Sequence, residues 1–161
     1  MKKLIFSLCL LCVAVAAKAQ FEQGKWIVNP SVTGLSLSHS SLEDTRFGIN
    51  GQVGAFLIDN TALMVGVGGE WTESIDSYYA SVGGRYYFQT TGIYLGAGLK
   101  MKHWKPESSG SVTDFAAFAE AGYAFFITKT ITLEPALYYD LSFKDGDYSK
   151  FGLKVGFGLY F

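Results

Sequence analysis

Charge is scarce in this chain. Of its 161 residues only 17% are charged, against about 25% in an ordinary soluble domain, so there are few groups to keep a surface wet. Proline is rare, at 3 residues, and aromatics reach 16%. That excludes disorder, which needs high charge and few aromatics. The 19 glycines have no three-residue period, which excludes a collagen helix. Glycine together with β-branched and aromatic residues forms helices poorly, which argues against a helical bundle. A formal net charge of −1 offers nothing that recruits nucleic acid by bulk electrostatics. The chain is long enough for one domain and not comfortably for two.

What is present begins with an export signal. Met1, Lys2 and Lys3 form a positive head, Leu4 to Ala17 an apolar stretch broken by Ser7, and Ala17-Lys18-Ala19 an A-x-A cleavage site, the three parts of a secretory signal. The stretch is shorter than the ~18 residues that a spanning helix needs. Cys12 raises a lipoprotein signal as a rival, but Leu11 stands before it, where such processing sites resemble a small residue. We therefore assign residues 1–19 to a cleavable signal peptide and 20–161 to one mature domain. Both cysteines, Cys9 and Cys12, leave with the signal, so the mature chain has neither disulfides nor thiolate metal sites. Lys2, Lys3 and Lys18 leave too. Ten basic residues then face 14 acidic ones, a net of −4.

The mature chain repeats one physical pattern, apolar alternation with period two, which is the signature of strands. It runs through Phe47–Leu57, Leu63–Trp71, Tyr78–Phe88, Ile93–Met101, Leu133–Phe143 and Phe151–Phe161. Trp26–Leu37 alternates with a slip at Gly34 that suggests a bulge. Phe115–Ile127 fits helical spacing as well, yet its alternation favours a strand. These segments predict eight strands. Asp59-Asn60, Thr90-Thr91 and Thr128-Lys129-Thr130 make short turns at one end. His39–Thr45, Glu73–Ser77, His103–Ser111 and Lys144–Ser149 make longer polar loops at the other. Short turns and longer loops in alternation describe an up-and-down outer-membrane barrel.

The apolar face decides between water and lipid. Phe47, Trp71, Tyr78, Phe115, Phe143 and Phe151 lie toward the loops, and Phe88, Tyr123, Phe125 and Phe161 toward the turns. Val53, Val65, Val82, Ala97, Leu137 and Val155 lie between. Two aromatic belts around an aliphatic band fit a bilayer. A soluble lipocalin-like barrel would turn its apolar face inward. The opposite face mixes glycine, tyrosine and charge, which suits a narrow interior.

The signal, the eight alternating strands and a last strand ending on an aromatic resemble the small eight-stranded outer-membrane barrels, the OmpA-like and OmpX-like family of Gram-negative bacteria. The resemblance covers residues 21–161 and is one of architecture. It implies an all-β, eight-stranded antiparallel transmembrane barrel, exported by the general secretory route and placed in the outer membrane as a monomer in lipid. It also implies that the terminal strand, with Phe157, Leu159 and Phe161, is read by the barrel-assembly machinery during insertion.

Nine charges fall on the inward face: Glu70, Arg85, Lys100, Lys102, Glu120, Glu134, Asp140, Lys150 and Lys154. An interior charge must be paired or hydrated, because desolvation costs several kcal/mol per ion. Counting from the loop tips pairs Glu70 with Arg85, Lys100 with Glu120 and Asp140 with Lys150, with Lys154 and Glu134 joining the middle set. Eight strands leave a lumen that side chains fill, so these pairs are expected to plug it. Pro135, within a strand of a closed barrel, is expected to leave a ladder defect or bulge. No catalytic, cofactor or metal residues are assigned and no enzyme is expected. His39 with Ser40, Ser41 and Glu43, and His103, sit in loops that do not secure a base within reach of a hydroxyl. Two histidines without a third ligand are a weak metal signal. The expected role is envelope integrity or surface interaction through exposed loops, whose ligand the sequence does not name. A small porin and a lipid A-modifying enzyme are the alternatives.

Overall fold

The computed structural model describes residues 21–33, 47–71, 75–89, 91–106, 112–144 and 149–161. The expected signal peptide, the Gly34 slip, His39 with its neighbouring serines, Glu43 and most of the loop residues lie outside them. So does the side chain of Phe47.

Strands account for nearly all of what is described: β1 (Trp26–Thr33), β2 (Phe47–Ile58), β3 (Thr61–Trp71), β4 (Ile75–Tyr87), β5 (Ile93–Pro106), β6 (Val112–Tyr123), β7 (Phe125–Phe126), β8 (Ile131–Ser142) and β9 (Lys150–Tyr160). Neighbours in sequence pair antiparallel, and β1 pairs with β9 to close the wall. Segments β6 and β7 both pair with β8 in one continuous register, Gly122 facing Ala136 and Phe125 facing Leu133. They are two parts of a single stave, and the protein is a closed eight-stranded antiparallel barrel. The ambiguous Phe115–Ile127 segment is a strand because its two neighbours supply partners along its length.

Two prolines mark where the wall gives way. The interruption between β6 and β7 falls opposite Glu134 and Pro135, whereas the β8–β9 ladder runs through Pro135 without a shift. The missing N–H therefore leaves a one-sided lapse and no bulge. At Pro30 the β1–β2 ladder is unbroken, but the β1–β9 ladder skips from Val28 to Ser31. The ends differ from expectation in one respect. The wall extends further toward the loops, with β4 starting at Ile75 and β5 reaching Pro106, so the β3–β4 connection spans only residues 72–74. Polar side chains near a rim reach water and do not end a strand. At the other end the β2–β3 turn places Asn60 at φ 63, a left-handed conformation that asparagine tolerates.

The inside and outside are the reverse of a soluble protein. Val82 is 48% exposed and Val65, facing it, 55%. The side chains of Trp26, Tyr78, Phe88, Phe115, Phe143 and Phe161 are also exposed. Buried instead, among the described residues, are twenty polar or charged ones, Arg85 and Asp140 at 1% each among them.

Candidate functional site in the barrel lumen

The inward face of each strand delivers a residue about every 7 Å, and the lumen stacks the polar and aromatic side chains among them in tiers. The tier at the turn end is aromatic. Phe21, just before β1, is 2% exposed. Its ring stacks on Tyr87 at 4.2 Å and 19° and lies within 6.0 Å of Phe56, Phe126 and Tyr160. Its carbonyl accepts from the amide of Asn60 at 2.6 Å, and Gly24 N–H donates to the Phe56 carbonyl at 2.9 Å. These bonds seat the segment against the β2–β3 turn. Sequence reading missed Phe21 because it precedes the alternation that would have assigned it a face.

Above the rings lies Arg85, from β4. Its guanidinium donates to Glu120 Oε1 at 2.9 Å, Glu134 Oε2 at 3.0 Å, Gln52 Oε1 at 2.8 Å and the Tyr87 hydroxyl at 3.1 Å. It also packs over the ring of Tyr94 at 4.3 Å. Glu134 accepts further from Asn29 at 2.7 Å, Thr132 at 2.7 Å and Tyr160 at 2.7 Å. The second oxygen of Glu120 pairs with Lys154. Five staves thus meet at two carboxylates, and β2 joins them through the bond from Arg85 to Gln52. A planar donor fork suits this task in a way an ammonium does not.

The tier toward the loops is built on Asp140. Lys100 donates to both of its oxygens, at 2.8 and 2.7 Å, and Lys102 stands at 3.7 Å. Nearby, Lys150 donates to Glu70 at 2.7 Å and Ser142 to Asp114 at 2.6 Å. Between this tier and the Arg85 tier is a cavity of about 30 Å³, room for a water molecule. Among the described residues one enclosed side-chain polar atom, Ser149 Oγ, lacks a hydrogen-bond partner.

All eight residues of the expected network are buried in the lumen, and Lys154 joins Glu120 as expected, but the three expected hairpin pairs are not the ones that form. Glu70 faces Ser77 and Arg85 faces Ala62 across the same β3–β4 ladder, which separates them by about 26 Å of strand. Lys100 and Glu120 likewise sit four positions apart on the β5–β6 ladder. Asp140 and Lys150 are direct neighbours, yet Asp140 bonds Lys100 and Lys150 bonds Glu70. The pairing follows height in the lumen and reach across the axis, which counting along hairpins does not capture. Asp114 was missed because the assigned strand began one residue later, at Phe115; extending the same parity back from Glu120 finds it.

Outside the lumen, His103 is half-buried with Nδ1 3.1 Å from Thr113 Oγ1. Among the described residues no cluster of three histidine, cysteine or acidic side chains is placed to hold a metal, and no helix is long and apolar enough to cross a membrane.

No protein-family model matches the sequence, and no curated protein matches it. Solved structures do. The N-terminal barrel domain of OprF from Pseudomonas aeruginosa superposes with a TM-score of 0.70 at 18% identity, covering 86% of this chain and 98% of that one. Neisserial surface protein A gives 0.68 at 15%, again over 86% and 98%. OprG from Pseudomonas aeruginosa gives 0.62 at 11%, over 88% and 98%. The fold is that of the small eight-stranded outer-membrane barrels. A barrel of this kind leaves a lumen about as wide as its side chains, and the three tiers lie in it here around the cavity of about 30 Å³.

Proposed function

We propose that the protein is an integral outer-membrane barrel whose lumen is closed by its own side chains, and that it serves envelope integrity or surface interaction through its longer loops. The observation that carries the plugged reading is the Arg85 tier, where one guanidinium bridges Glu120 and Glu134 across the lumen at 1% exposure. The inward charges are mixed in sign, unlike a ring that selects one ion. Membrane placement is supported by the exposed aliphatic band with aromatics at both ends and by the barrels it resembles.

In this reading both chain ends and the short turns are periplasmic. The two ends already lie together, Trp26 and Phe161 exchanging backbone bonds at 3.1 and 3.0 Å. Phe157, Leu159 and Phe161 alternate outward along the end of the last strand, where the assembly machinery would read them; Phe157 and Phe161 are exposed. The barrel acts as a monomer without a catalytic step. Protein refolded in detergent and placed in planar bilayers should show no steady conductance. A stable, reproducible open level from correctly folded protein would replace the plug with the small-porin reading.

A further inference from the structure

The loop-end tier contains an arrangement that plugging alone does not require. The Lys100 ammonium lies 4.7 Å from the ring centre of Tyr79, 5.7 Å from Phe118 and 5.7 Å from Tyr138. On its remaining side both oxygens of Asp140 accept from it. Three π-faces and a carboxylate around one ammonium are the elements with which proteins recognise cationic ligands. The rings are held by the wall itself. Tyr79 lies over Gly68, Phe118 over Gly98 and Tyr138 over Gly152, each its direct cross-strand partner. A Cβ on those glycines would stand 2.6 to 2.7 Å from the ring atoms. The cage is therefore shaped by the backbone and not by the lysine. The cavity of about 30 Å³ borders the same rings, so space adjoins the cage.

We propose that this tier is a binding site for a primary alkylammonium group, occupied in the unaltered chain by Lys100 as its own tethered ligand. The rings supply attraction for any organic cation. The two Asp140 oxygens need N–H donors, which selects a primary ammonium over a quaternary one. With Lys100 in place the site is satisfied, and an external amine must displace it.

Lys100→Ala removes three methylenes and the ammonium, which is the outline of n-propylammonium. In detergent, n-propylammonium chloride should raise the melting temperature of Lys100→Ala saturably, by about 3 °C or more. It should not do so for the unaltered protein, nor for Lys100→Ala/Asp140→Asn. Equal sodium chloride, 1-propanol and propyltrimethylammonium should leave Lys100→Ala unchanged. Absence of the rise, or an equal rise in the unaltered protein, overturns the site. Equal rescue by the trimethyl compound overturns the primary-ammonium assignment. Should Lys100→Ala not fold with or without amine, the ε-methylene protons of Lys100 in the unaltered protein decide. Ring currents should shift them upfield of solvent-exposed lysines, and a random-coil position refutes the cage.

Discussion

Each luminal charge is valuable only through a specific partner, and the partner is set by height along the barrel axis. Glu70 and Lys150 come from β3 and β9, which are not neighbours, yet they meet at 2.7 Å. Removing one member takes the counter-charge from a buried ion, which costs about 3–5 kcal/mol, whereas neutralising both is far milder. We therefore expect Glu70→Gln and Lys150→Gln each to lower the unfolding midpoint in denaturant more than the double variant does. The same cycle for Glu70 and Arg85, which lie in different tiers, should be additive within about 0.5 kcal/mol. Equal midpoints for both singles and the double at Glu70 and Lys150 would dissolve that pair. Phe21 is a residue of another kind, valuable for area and ring packing. Phe21→Ala should cost about 3–5 kcal/mol, the usual range for a buried phenylalanine. A stability equal to the parent would mean that the ring does not sit in the turn-end mouth.

The strands owe their fit to glycines facing large side chains. Gly98 faces Phe118, and a Cβ there would collide with the Val82 carbonyl and lie 2.7 Å from the Phe118 ring. Gly51 is on the outer face with nothing within 4 Å of the same construction. Gly98→Ala should destabilise by about 1–3 kcal/mol as overpacking does, while Gly51→Ala should be neutral or stabilise by up to about 1 kcal/mol, since alanine loses less entropy on ordering. Chemical denaturation of both variants in one detergent checks the contrast; similar losses at both positions would remove the close approach as the cause. The alternation that assigns Gly98 inward and Gly51 outward was visible in the sequence, because period two needs no knowledge of neighbours. That Gly98 faces Phe118 was not, because it depends on the β5–β6 register, which the loops leave open. The same boundary explains the site: which side chains point inward was legible from Glu70 to Lys154, and which of them touch was not. Pro135 announced a weakened ladder through its missing N–H, but only the register shows that the lapse falls toward β6 and β7.

At the scale of the molecule, an apolar exterior around a charged interior fits lipid better than water. The exposed Val82 sits mid-wall between Val65 and Leu99, and both neighbours are exposed. In water, Val82→Arg on such a wall would improve solubility and cost little. At a bilayer midplane the same change should cost about 2–4 kcal/mol, falling to about 0–1 kcal/mol near the interface. Tyr78 provides the second depth: it lies four positions nearer the loops on the same strand and face, exposed and edge-on to Trp71 at 6.5 Å. Folding into phospholipid vesicles, followed by gel mobility with and without heating across a denaturant series, should show a clear loss for Val82→Arg and a small one for Tyr78→Arg. The gradient with depth carries the conclusion, because packing loss alone would penalise the larger tyrosine more. If Tyr78→Arg proves the more damaging, the aliphatic band is not the centre of a bilayer, and the outer surface must be covered by something other than lipid.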